Sequence, residues 1–360
     1  MRGKGSTADG GGAHSAGSLS KSDALPEEHR ALDLEFKHVT KRYPGQDTPA
    51  IDDLSLTVPA GEICCLVGPS GGGKTTAMKL VNRLIDLTEG EILIGGKSIT
   101  SVNVTALRRD IGYVIQQVGL FPHMTIAGNM GIVPTLLGWS KSRIHKRVDD
   151  LLELVQLDHS YAKRYPAQLS GGQQQRIGLA RALAVDPPVM LMDEPFGALD
   201  PITRSGIQDE FLRLQEQIKK TVIFVTHDID EAIKMGDKIA VLREGGVLAQ
   251  YGTADDLLGH PADSYVADFV GADRGLKRLA LRQMRVLLGD GPAQPLPAGA
   301  PTVTADATLR TGLSVLFAES AGVLGVTDGD GNTLGTVTLD QLRDAVAVEE
   351  PAAAPEGGTK

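Results

Sequence analysis

Apolar and polar positions alternate with two different periods along this chain. Residues 34–39, Leu-Glu-Phe-Lys-His-Val, alternate and predict a strand, and residues 51–58 predict a second. The run Ile63, Cys64, Cys65, Leu66, Val67 is continuously apolar and predicts a buried strand; residues 77–84 then follow helical spacing. Short strands are expected at 91–94 and 111–115. From 121 to about 184 the pattern reads as helical throughout, with leucines and valines at helical spacing over 140–157 and basic residues opposite. A second apolar run, 188–192, ends in Asp193 and Glu194, and a third, 222–226, ends in His227 and Asp228. A helix near 203–218 lies between them. Strands at 238–242 and 247–251 flank a turn at Gly245-Gly246, and short helices run to about 270. Alternating strands and helices predict an α/β fold with a parallel sheet. The long helical insert predicts a subdomain on one side of it. After residue 302 the pattern resumes: a helix at 308–318, a hairpin from 323–327 and 333–338, and a helix at 339–346.

Composition narrows this picture. The 360 residues are 41% hydrophobic and 22% charged, as in ordinary globular proteins, and fit one large domain plus a small one. No run of ~18 apolar residues and no signal-peptide core are encoded, so a cytosolic chain is expected. A formal net charge of −9 argues against a nucleic-acid groove as the main function. The two cysteines are adjacent in a strand, face opposite ways and cannot staple distant segments. Residues 1–30 are rich in Gly, Ser and Ala and are expected to be a disordered extension, as is the tail 348–360. Residues 31–271 form the expected main domain, 272–301 a basic stretch and linker, and 302–347 a small module.

The chemistry concentrates at strand ends. Gly68, Pro69, Ser70, Gly71, Gly72, Gly73, Lys74, Thr75 and Thr76 match the G-x-x-x-x-G-K-T phosphate-binding loop between a strand and a helix. Glycines let backbone N–H groups turn toward a polyphosphate, and the helix N-terminus adds partial positive charge. Lys74 adds a full charge near the β- and γ-phosphates, and the Thr75 hydroxyl suits Mg²⁺. Ser170, Gly171 and Gly172 open another helix and offer N–H groups and a hydroxyl to an anion. Asp193 suits Mg²⁺ through water, Glu194 suits the base for an attacking water, and His227 a γ-phosphate contact. Tyr43 is an aromatic in a loop, able to stack on an adenine ring. Asp328, Asp330 and Asn332 imitate a calcium loop, but Thr333 and Leu339 break its pattern, so a hairpin turn is expected instead.

Together these motifs resemble the ATPase subunit of an ABC transporter over roughly residues 32–271. The phosphate loop, Gln116, the signature LSGGQQQR at 169–176, Asp193-Glu194 and His227 occur in the family's order. The D-loop reads Gly197-Ala198-Leu199-Asp200, with Gly where the family usually has Ser. The resemblance implies a RecA-like core, an antiparallel β subdomain and a helical subdomain. It implies two copies packed head to tail, with ATP between the phosphate loop of one and Ser170, Gly171, Gly172 and Gln173 of the other. Glu194, His227 and Gln116 are then the catalytic set, with Gln116 sensing Mg²⁺ and the water. Thr75, Gln116 and Asp193 hold the metal, and Tyr43 and Asp200 join the nucleotide site. Residues 118–129 are where the family docks a membrane-spanning permease subunit, which implies a peripheral position on the cytoplasmic face of the cell membrane and an extracytoplasmic solute-binding protein acting through the permease. A finer resemblance, at 78–85, 111–123, 137–139 and 269–274, is to importers of glycine betaine, proline betaine, carnitine and choline. Alternatives are an importer of an amino acid or polyamine, or a soluble ABC ATPase. The small module resembles one CBS repeat, an α+β unit that such ATPases usually carry twice.

Overall fold

The computed structural model describes residues 30–116, 119–288, 296–297 and 299–346; the expected disordered extension and tail lie outside the described residues, except for Arg30. The chain begins with β1 (Leu34–Lys41), β2 (Ile51–Val58), β3 (Ile63–Val67), α1 (Lys74–Val81), β4 (Glu89–Ile94), β5 (Lys97–Ser98), α2 (Val104–Arg109) and β6 (Ile111–Val114). A helical stretch follows: α3 (Ile126–Met130), α4 (Ile132–Leu136), α5 (Lys141–Leu154) and α6 (Gly171–Ala182). Next come β7 (Val189–Asp193), α7 (Pro201–Ile218), β8 (Thr221–Val225), α8 (Ile229–Met235), β9 (Lys238–Leu242) and β10 (Leu248–Gly252), then α9 (Ala254–Gly259), α10 (Ser264–Val270) and α11 (Arg274–Leu281). The last unit holds β11 (Thr302–Thr304), α12 (Leu309–Ala318), β12 (Val323–Thr327), β13 (Thr333–Thr338) and α13 (Leu339–Val346).

The main sheet has the order β10-β9-β3-β8-β7-β6, parallel except for β10. A second, antiparallel sheet has the order β2-β1-β4-β5. The continuous apolar runs are explained by burial on both faces. Cys65 and Val67 of β3 join a core shared with Leu151, Leu152 and Ile177 of the helical insert. Cys64 and Leu66 point the other way, into a core shared with Met78 and Leu80 of α1 and Leu34 and Phe36 of β1. The central sheet thus separates the helical subdomain from the antiparallel one.

Both cysteines are free and fully buried. Burial pushes the Cys64 thiol up to about 12 and Cys65 well above its ordinary value. The thiolate is the reactive form. Native protein at pH 8 is therefore expected to resist a thiol-alkylating reagent, with both cysteines labelled only after denaturation. Rapid labelling of the native protein, read by intact mass, would contradict this packing.

Several stretches differ from the sequence expectation, among them the short strands β5 and β11, which were not anticipated. The insert is not helical throughout. Gln156 adopts a left-handed φ of 55°, and 3₁₀ turns at His159–Lys163 and Pro166–Gln168 replace α-helix before α6. Proline cannot sit inside a helix without losing a hydrogen bond, which stops α-helix there. The helix α2, capped by Asn103, was not anticipated. Finally, 272–301, expected as basic stretch and linker, carries α11. Arg278 of α11 pairs with Asp255 of α9 at 2.7 Å, and Leu279 packs into the core of the last unit with Leu309, Leu316 and Leu324. In that unit β11 runs parallel to β12, and β13 is antiparallel to it. Asp328 accepts from the N–H groups of Asp330 and Asn332 at 2.9 and 2.8 Å, which makes the expected hairpin turn.

Candidate functional site

Strands β3, β8 and β7 are neighbours and parallel, so their C-terminal ends deliver residues 68–76, His227 and Asp193-Glu194 to one edge of the sheet. Ser70 to Thr76, Glu194, His227 and Tyr43 line a single open cleft of about 660 Å³. Lys74 is buried, and its Nζ donates to Gly68 O at 2.7 Å and Pro69 O at 2.8 Å. Burial lowers the Lys74 pKa, opposed by the nearby Glu194 and Asp193 carboxylates. No side chain caps α1; its N-cap, Gly73, has a φ of 78°, and a Cβ there would lie 2.5 Å from Ala50 O. Only glycine fits that close approach.

The carboxylates are held differently. Asp193 accepts from the Thr75 hydroxyl at 3.3 Å, and burial raises its pKa. Glu194 lies just past β7 in a left-handed conformation, φ 44°, fixed by its N–H donating to Val225 O at 3.0 Å. That conformation is costly for a non-glycine residue and recurs at functional sites. Its Oε2 accepts from Gln116 Nε2 at 2.9 Å and sits 3.5 Å from His227 Nδ1. The three residues of the expected catalytic set therefore converge on one oxygen. Tyr43 stands at the cleft mouth, with Lys41 Nζ 5.0 Å from its ring centroid.

The signature residues lie elsewhere. Ser170 and Gly172 line a separate polar cleft with Asp158, Tyr161, Gln173 and Thr203. Ser170 caps α6: its Oγ accepts from Gln173 N at 3.3 Å, while Gln173 Oε1 accepts from Ser170 N at 3.0 Å. This box uses two of the groups that the sequence reading offered to an anion and leaves the Ser170 hydroxyl proton to donate. Gly171 follows at the first position of α6. Asp200 caps α7, accepting from Thr203 N at 3.1 Å; hydrogen bonds from the Thr203 side chain and backbone hold its carboxyl below the usual range.

Sequence reasoning missed part of the cleft wall. Gln46, Thr48, Pro49 and Ala50 of the β1–β2 loop, and Glu244, line it too. The Gly245-Gly246 turn had been read only as a connection. A Cβ on Gly246 would sit 2.5 Å from Ala50 O, so the turn closes against the same loop that Gly73 touches. The glycine pair was visible; its distant neighbour was not.

The comparisons with known proteins show the family. The family description "ABC transporter" matches residues 51–197. The osmoprotectant import ATP-binding protein OsmV of Salmonella typhimurium is 47% identical over 321 residues, covering 88% of this chain and 81% of that protein. The chain belongs to the ATP-binding subunits of ABC transporters. Within this ABC family, the glycine betaine uptake system ATP-binding protein YehX of Escherichia coli is 42% identical, covering 86% of this chain and 98% of its own. The dimeric structure of MJ0796, a bacterial ABC transporter cassette, matches with a TM-score of 0.54 and 36% identity over 61% of this chain and 98% of that one. The same cassette is known as a post-hydrolysis dimer bound to ADP and Pi. This chain is thus an ABC ATPase, and no helix among the described residues is long and apolar enough to cross a membrane.

Proposed function

We propose that this chain is the ATP-hydrolysing subunit of an importer for quaternary-ammonium osmoprotectants, acting as a head-to-tail homodimer on the cytoplasmic side of its permease. The observation that carries the mechanism is the division of the nucleotide motifs between two clefts on one chain. The phosphate loop, Glu194 and His227 line one; Ser170 and Gly172 line the other. A complete site then needs a second copy, whose α6 N-terminus meets the nucleotide held by the first. In this reading Lys74 and the loop N–H groups bind the β- and γ-phosphates, Tyr43 stacks on the base, and Asp200 borders the joint. Glu194 takes the proton of the attacking water, and Gln116 and His227 orient its carboxylate.

The donor set fits Mg²⁺: a hydroxyl oxygen from Thr75, a carboxylate from Asp193 and an amide oxygen from Gln116 are hard ligands. The ion, when bound, would neutralise charge on the phosphates. Asp193, whose burial disfavours its ionised form, is poised to gain from such a cation.

The solute is read from relatives whose names specify osmoprotectant, carnitine and glycine betaine transport. The test is uptake by vesicles carrying this subunit with its permease and solute-binding protein. ATP-driven uptake of labelled glycine betaine, carnitine or choline is expected, and each should compete with the others. Uptake of an amino acid or a polyamine alone would overturn the solute assignment.

Residues 302–347 are proposed as a single CBS-like repeat. Phe317, Leu334 and Leu339 of this unit are exposed, Phe317 by 66%. The two copies brought together by ATP supply the second repeat that would cover them. Truncation after Leu288 keeps α11. It is expected to spare basal ATPase activity and to remove or alter the salt dependence of transport. Identical transport across ionic strengths in the full and truncated complexes would end the regulatory reading.

A further inference from the structure

The start of α6 is held by Gln173 of the signature and, through it, by Tyr161, a residue outside every motif named above. Gln173 has a two-ended amide, an acceptor oxygen and a donor nitrogen. Its Oε1 accepts from Ser170 N at 3.0 Å, and its Nε2 donates to the Tyr161 hydroxyl at 3.0 Å. With both ends engaged, the amide has one orientation. Without the hydroxyl, the nitrogen end loses its protein acceptor and the capping box loses its anchor.

Tyr161 is itself fixed from behind. The Arg164 guanidinium lies 3.9 Å from its ring centroid. The Arg164 carbonyl accepts from Ile126 N at 2.8 Å, at the first residue of α3. One turn on, fully buried Asn129 accepts from Phe121 N at 2.8 Å and donates to the carbonyls of Phe121, Met124 and Thr125. That side chain shapes the loop presenting Phe121, which is 46% exposed. A contiguous set of hydrogen bonds and one stacked pair thus joins the Phe121 loop to Ser170.

Resting on the reading of Ser170 as the group that meets the partner copy's nucleotide, we propose that Tyr161 is a positioning residue for that contact, setting the Gln173–Ser170 cap through its hydroxyl. It touches no nucleotide held by its own phosphate loop, since the two clefts share none of their lining residues. Its effect falls on closure of the dimer and not on capture of ATP by one copy. If Tyr161 only filled space, its ring would suffice and the hydroxyl would be dispensable.

The experiment uses the full chain carrying Glu194→Gln and follows ATP-driven dimerisation by sedimentation while ATP is titrated. Tyr161→Phe is expected to raise the ATP concentration at half-dimerisation by about 3- to 10-fold, the range for one lost hydrogen bond. Binding of a fluorescent ATP analogue to the monomer should not change, and the thermal midpoint should fall by no more than about 4 °C. Gln173→Leu, which also removes the bond from Ser170 N, should give at least that shift, and the Tyr161→Phe/Gln173→Leu pair no more than Gln173→Leu alone. A Tyr161→Phe titration that overlays its parent, or a double-variant shift equal to the sum, overturns the proposal. Ser170→Arg separates the two levels. If it abolishes dimerisation while Tyr161→Phe does nothing, the Tyr161 assignment alone fails. If Ser170→Arg dimerises normally, the underlying reading of Ser170 fails with it.

Discussion

Glu194→Gln is expected to leave ATP binding intact and to reduce steady-state hydrolysis by about 10²–10⁴-fold, the usual worth of a positioned base. Gln has nearly the same shape, so the bond from Gln116 Nε2, now 2.9 Å to Glu194 Oε2, can be kept by the amide oxygen. What disappears is the capacity to accept a proton. The left-handed backbone at residue 194 and its bond to Val225 O do not depend on the side chain, so the site should remain assembled. ATP that is bound and not cleaved should then hold two copies together. Sizing chromatography with ATP and Mg²⁺ should show a dimer that wild-type protein forms only transiently. Turnover within a few-fold of wild type would show that Glu194 is not the base.

Lys74→Ala fails one step earlier. The ammonium is buried beside the Gly68 and Pro69 carbonyls, and burial already lowers its affinity for a proton. A phosphate partner would reverse that penalty, because opposite charges in a poorly solvated site attract strongly. Its loss should weaken nucleotide binding by roughly 10- to 100-fold, the range for a hydrogen bond to a charged group. A fluorescent ATP analogue measures this directly. Undiminished affinity together with normal dimerisation would refute the role given to the loop. The two variants are distinguishable: Glu194→Gln binds and stalls, whereas Lys74→Ala does not load.

The parts of this site that were legible in the sequence are local ones. Residues 68–76 declare themselves because strand, glycines, lysine and helix are consecutive. Asp193, Glu194 and His227 stand out because each ends an apolar run. Their convergence was legible only through the family resemblance, not from the local pattern. It follows from the pairing of β3 with β8, and β8 with β7, which joins segments more than a hundred residues apart in the first case. The β1–β2 loop beyond Tyr43 was missed for the same reason: Ala50 matters only because Gly73 and Gly246 come to rest against it. The helical insert was over-read, since its apolar spacing continues across the turns that Gln156 and Pro166 impose. Helix α11 was under-read because its sequence, RGLKRLAL, is half basic or glycine, and two of the acids that neutralise it, Asp255 and Asp230, lie elsewhere in the chain.

That helix has a consequence for how the protein comes apart. Arg278 and Arg282 both bind Asp255 of α9, at 2.7 and 2.8 Å, and Lys277 reaches Asp230 of α8 at 3.0 Å. Its Leu279 belongs to the core of the C-terminal unit. A helix whose Leu279 sits in the core of one unit and whose cations pair with the acids of the other cannot fray from one without disturbing the other. Amide hydrogens of α11 should therefore exchange no faster than the core of the C-terminal unit opens. Breaking the Asp255 pairs, as in Asp255→Ala, leaves two buried or half-buried guanidinium groups without their carboxylate. It should speed exchange in α12 and β12 as well, far from the substituted residue, because the C-terminal unit would have lost its seat.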